Sequence, residues 1–174
     1  MQKLSVPQFK QGRLECGPTA LKMVLHYFGK EVSSKEITTK IGGIKKYGVR
    51  TIKLADFAQK LGFKVYCYSY NKKISKGKAE SKKPAKSDII KFLKKKLPVI
   101  IAVRQFLLFN EEPSDMGHFI VITKYENGRF WYNDPEDGKL HQIKEDDLMF
   151  AWHNNVLDSS AYLLVLQPKY QRRT

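Results

Sequence analysis

Two apolar periods divide this chain. From Ala20 to Leu61, apolar residues recur mainly every third or fourth position; from Phe63 they mostly alternate or form short continuous runs. The first period lines one face of a helix, and the second lines one or both faces of a strand. A chain patterned this way folds as helices followed by a sheet, an α+β arrangement. Its 174 residues fit one domain, 1–174.

Ala20, Leu21, Val24, Leu25 and Phe28 predict a helix over 16–29, stopped at Gly29. Ser33 and Glu36 have capping-box spacing and open a short helix to 41. Ile52, Leu54, Ala55, Phe57, Ala58 and Leu61 predict a third over 51–61, closed by Gly62. Strands are expected at 63–70, 98–103, 117–125, 129–133, 140–143 and 161–166, with helices at 87–96 (capped by Ser87) and 145–151. The 98–103 run is continuously apolar and should be the central strand. Asn127-Gly128 is a hairpin signal that pairs 117–125 with 129–133, so the sheet should be mostly antiparallel. Residues 169–174 should be a flexible basic tail.

Charge raises the first functional question. The net charge is +15, and eleven lysines against two acids lie between Lys72 and Lys96. That balance invites a nucleic-acid partner. The 72–87 stretch is rich in Ser, Gly, Ala and Pro and reads as a lysine-rich surface loop. It lacks the aromatic side chains on which single-stranded bases stack, so nucleic acid is disfavoured. It reads instead as a solvated accessory surface that raises solubility or attracts an acidic peptide. No run of about 18 apolar residues predicts a membrane span. Residues 1–7 lack the apolar core of a secretory signal. Cys16 and Cys67 cannot build a disulfide framework, which fits a reducing compartment and a cytoplasmic location. The four histidines and two cysteines show no paired ligand spacing, so neither metal nor cofactor is expected.

Cys16 carries the sharpest chemical signal. It opens the first predicted helix, where free N–H groups stabilise negative charge and favour a nucleophilic thiolate. Gly17 after it would let a substrate backbone approach the sulfur, and Pro18 is tolerated in a first turn. A cysteine nucleophile needs a base and a group that orients the base. His118 starts the 117–125 strand beside Gly117, in a flexible stretch that can present an imidazole and a substrate-facing glycine at a cleft. Asp134 ends the hairpin's second strand. Pairing Tyr125 with Arg129 or Phe130 brings it near the level of His118 to Val121, where its carboxylate could fix the imidazole tautomer. An oxyanion needs donors near the cysteine: its own N–H, plus a side-chain amide from Gln11 or Gln8. His26, His141, His153 and Cys67 read as structural.

The blocks Val6-Pro7 with Gln11, Glu15-Cys16-Gly17-Pro18-Thr19-Ala20-Leu21, Gly117-His118-Phe119-Ile120-Val121 and Tyr132-Asn133-Asp134-Pro135 resemble the bacteriocin-processing, double-glycine leader peptidases, family 39 of the cysteine peptidases. The likeness spans roughly 6–166. It implies a papain-like fold, with Cys16 as nucleophile and His118 as base and then acid. Asp134 would orient His118, and Gln11 would complete the oxyanion hole. It also implies cleavage after Gly-Gly at the end of a helical, often acidic leader. The family's glutamine sits six residues before the cysteine, where this chain has Lys10, so Gln11 serves only across a shortened loop. The best-known members are fused to transporter spans and an ATPase, absent from this sequence, which makes a separate transporter an implied partner. The leading expectation is a stand-alone thiol peptidase working through a thioester. The alternatives are a non-catalytic peptide-binding module of the same fold and a cysteine-dependent acyl transferase.

Overall fold

The computed structural model describes residues 1–169. Three helices come first: α1 (Cys16–Tyr27), α2 (Ser34–Lys40) and α3 (Thr51–Lys60). Ser33 caps α2 by accepting from the Glu36 N–H at 3.0 Å, as its spacing predicts. Then follow β1 (Phe63–Ser69), α4 (Lys72–Ser75), β2 (Glu80–Ser81), α5 (Lys86–Lys94), β3 (Val99–Arg104), α6 (Gln105–Phe109), β4 (Gly117–Glu126), β5 (Arg129–Asp134), β6 (Lys139–Lys144), α7 (Glu145–His153) and β7 (Leu163–Pro168).

The strands form one seven-stranded sheet in the order β2-β1-β7-β3-β4-β5-β6. Every pairing is antiparallel except β1 with β2. β3 is central, and all six of its residues are buried. Because side chains alternate along a strand, this requires cover on both faces of the sheet. The aromatic contacts of β1 show how that cover is divided. Phe63 packs on Phe28 beyond the end of α1, while Tyr66 and Tyr68 pack on Phe92 of α5. The helices of the N-terminal group and α5 therefore lie on opposite faces. The fold is α+β, as the two apolar periods require.

The lysine-rich segment departs from the loop expected at 72–87. Asn71 accepts from the Ile74 N–H and starts α4; Glu80 and Ser81 then pair parallel to Tyr68 and Ser69. Lys78, Lys82 and Lys86 are held by Asp56, Asp88 and Glu145. Carboxylates elsewhere in the fold thus hold down a stretch whose own sequence offers almost no apolar anchor. Ser87 is not the cap of the following helix, because α5 begins one residue earlier, after Ala85, without a side-chain cap. Residues 170–174 of the expected flexible tail lie outside the described residues. No helix among the described residues is long and apolar enough to cross a membrane.

Candidate active site

Cys16 is the first residue of α1 and half-buried. No side chain caps this helix end, and its first turn holds no acid, so the leading amides are left free. Leu14 just before it has φ of 59°, in the left-handed region uncommon for leucine. The Glu15 N–H donates to the Gly12 carbonyl at 3.2 Å, and the Glu15 carboxylate accepts from the Gly12 N–H. This closed turn delivers the chain into the helix.

His118 is the second residue of β4, opposite Val103 of β3, and only 2% exposed. Its Nε2–H donates to Asp134 Oδ1 at 2.7 Å, which leaves Nδ1 for the thiol. The Phe109 ring covers the imidazole at 5.5 Å between centroids. Burial opposes charge on His118, but the hydrogen bond to Asp134 and the nearby Cys16 thiol outweigh it. The imidazole is held up at about 9, so it is a cation at neutral pH.

The meeting of His118 and Asp134 depends on an irregularity. Beside the turn, Tyr125 faces Phe130. Continued unbroken, that register would set Asp134 opposite Val121, on the sheet face away from His118. A bulge between Ile122 and Lys124 leaves Thr123 unpaired and shifts the pairing, so that Val121 faces Asn133. Asp134 then falls level with Ile120, on the face that His118 shares. A one-residue slip exchanges faces, and here it places a carboxylate on an imidazole.

Cys16, His118 and Gln11 line one cavity of about 880 Å³. Gln8 is exposed and outside that lining, whereas the Gln11 Nε2–H donates to Glu136 at 2.7 Å. Gly117 lines the cavity, and a Cβ there would make only ordinary contact with the Asn155 amide, at 3.5 Å. Gly17 does not line it. A Cβ on Gly17 would meet Val49 Cγ2 at 2.5 Å, Phe119 at 3.2 Å and Leu54 at 3.3 Å. Its lack of a side chain therefore serves packing rather than the substrate approach expected from sequence. Cys67 is buried in β1, with its thiol pushed up to about 12 by burial and by the Asp56 carboxylate. No group of histidine, cysteine and acidic residues able to hold a metal ion occurs among the described residues.

Other residues of the cavity were not legible beforehand. Lys45, Arg50 and Lys53 line one side, and none pairs with a carboxylate among the described residues. Arg104 closes the apolar run of β3 and is buried. It donates to the carbonyls of Asp115 at 3.0 Å and Asn154 at 3.2 Å and pairs with Asp158, so it fastens two cavity loops. A charge ending a continuously apolar strand was the signal available for it. Asn155 is 3% exposed, with its side-chain amide beside Gly117.

The family model described as "Peptidase_C39 like family" matches residues 3–157. No curated protein matches the sequence. Among solved structures, the fold is similar to that of a C39-like peptidase from Bacillus anthracis, with a TM-score of 0.71 at 17% identity, covering 98% of this chain and 100% of that one. The peptidase domain of Streptococcus ComA, a bi-functional ABC transporter involved in a quorum-sensing pathway, is similar at a TM-score of 0.63 and 17% identity, covering 94% and 99%. A double-glycine-motif protease from an AMS/PCAT transporter, in complex with its leader peptide, is similar at 0.57 and 22% identity, covering 96% and 94%. At these identities the likeness shows the fold, which is papain-like.

Proposed function

The chain belongs to the C39-like peptidase family, and from that membership we propose that it is a cysteine peptidase with Cys16 as nucleophile. The observation that carries the reading is the His118–Asp134 pair, buried behind a helix-terminal cysteine on the wall of a cavity of peptide-binding size.

The chemistry follows from the charges. His118 is cationic at neutral pH and faces the Cys16 sulfur, so it stands beside the nucleophile with the proton the leaving amine will need. The Cys16 sulfur adds to the scissile carbonyl carbon, and the C=O π pair moves to oxygen. The Cys16 N–H and the Gln11 amide stabilise that oxyanion. The oxyanion collapses, the C–N bond breaks, and His118 gives its proton to the departing amine. Neutral His118 then takes a proton from water, whose oxygen attacks the thioester. The C–S bond breaks, the acid leaves, and both side chains return to their resting state.

The substrate class follows from the cavity and the neighbours. One neighbour is a double-glycine protease held with its leader peptide, so a peptide that continues beyond a Gly-Gly pair is the first substrate to test. Lys45, Arg50 and Lys53 suit acidic side chains on it. A transporter is the partner such a peptide implies, and a cytoplasmic location fits the two free thiols.

Cleavage of an acidic double-glycine leader peptide in ¹⁸O-enriched water tests the reading. Hydrolysis places the label in the new C-terminal carboxylate. A new amide without label would assign acyl transfer instead, and binding without product would assign a non-catalytic module.

A further inference from the structure

We propose that Glu136 is a positioning residue for Gln11, so that one turn sets both the base and the oxyanion site. This rests on the peptidase reading above. Three consecutive residues divide the work. Asp134 accepts from His118 Nε2–H at 2.7 Å. The Pro135 carbonyl accepts the Gln11 backbone N–H at 2.7 Å, and the Glu136 carboxylate accepts its side-chain Nε2–H at 2.7 Å.

The turn is itself braced. The Glu136 N–H donates to Asp134 Oδ1 at 2.8 Å, the same oxygen that His118 uses. The Gly138 N–H donates to the Asp134 carbonyl at 2.8 Å. Gly138 has φ of 70°, and a Cβ there would stand 2.7 Å from the Lys10 nitrogen. Only glycine lets the 10–11 segment lie this close to the turn.

Gln11 needs such a hold. It belongs to no helix or strand and precedes Gly12. Its Oε1 is buried without a hydrogen-bond partner among the described residues, so that end of the amide fixes nothing. A free glutamine side chain spreads over many rotamers, and ordering it costs free energy. A carboxylate is a strong acceptor for an amide N–H. A primary amide has two such hydrogens; Glu136 takes one, and the second remains for a developing oxyanion.

The test separates oxyanion stabilisation from thiolate reactivity. A peptide aldehyde ending in Gly-glycinal accepts the Cys16 sulfur at its carbonyl carbon. The C=O π pair moves to oxygen and no group leaves, so its affinity, read by calorimetry, reports the oxyanion site. Iodoacetamide loses iodide to the same sulfur without forming an oxyanion. Glu136 is exposed, so its variants keep the fold. We expect E136A to weaken aldehyde binding roughly tenfold and Q11A roughly a hundredfold. Neither should change Cys16 alkylation, E136A should add nothing to Q11A, and E136Q, which keeps an acceptor oxygen, should bind nearly as wild type. An unchanged E136A, an equal further loss in the double variant, slowed alkylation, or an E136Q as weak as E136A would each overturn the proposal. If the wild type takes no aldehyde, the peptidase reading itself fails, and this proposal with it.

Discussion

His118 and Asp134 meet at 2.7 Å across two strands that reach that register only through the bulge at Thr123. The pair is 2% and 1% exposed, and the carboxylate holds the imidazole up at about 9 against the pull of burial. Its sign is testable. On the proposed mechanism the leaving amine needs a protonated His118, so kcat/KM should fall as pH rises through about 9. D134N removes the charge that favours the cation, so this alkaline limb should move to lower pH. The maximum should drop roughly 10- to 100-fold. A D134N profile superimposable on wild type would remove Asp134 from the mechanism.

The two site glycines should part company. A methyl on Gly17 runs into Val49, Phe119 and Leu54, an overpacking that costs about 1–3 kcal/mol. G17A should therefore melt several degrees lower. A methyl on Gly117 meets nothing closer than 3.5 Å. G117A should keep its Tm while raising KM, because it narrows the cavity beside Asn155. Thermal unfolding and steady-state kinetics on both variants decide it; the reverse pattern would exchange the two roles.

Iodoacetamide at neutral pH should add one label, at Cys16. Cys67 is buried in β1, and its thiol is held near 12. Peptide mapping over time should show Cys16 modified at least roughly a hundredfold faster, because burial keeps Cys67 both out of reach and protonated. Comparable rates would mean that Cys16 is not activated.

Lys45 and Lys53 line the cavity and pair with no carboxylate among the described residues, so an acidic peptide should lose affinity when they are reversed. K45E/K53E should raise KM for an acidic leader roughly 3- to 10-fold at low salt, with the difference shrinking as salt screens it. A neutral peptide should be unaffected. Equal effects on both peptides would refute charge recognition.

The sequence made the helices, the central strand and the hairpin legible, because apolar period and turn chemistry act locally. Cys16, His118 and Asp134 were legible as candidates because their residue types suit thiol chemistry and each lies at or next to the end of its helix or strand. The bulge was not legible. Tyr125 against Phe130 alone sets Asp134 on the wrong face, and nothing about Thr123 marks it as the unpaired residue. Gly17 was misread because a glycine needed by packing looks the same in sequence as one needed by a substrate. The 72–87 stretch forms α4 and β2 through partners far along the chain, Asp56 and Glu145 among them. Lys45, Arg50, Asn155 and Glu136 reach the site from loops that carry no period at all.

The most direct test is mass spectrometry of an acidic double-glycine leader peptide incubated with wild type and with C16A. Wild type should release the leader ending in Gly-Gly and a free amine fragment. C16A, folded by circular dichroism, should release neither. Cleavage at the same bond by C16A would contradict Cys16 as the nucleophile.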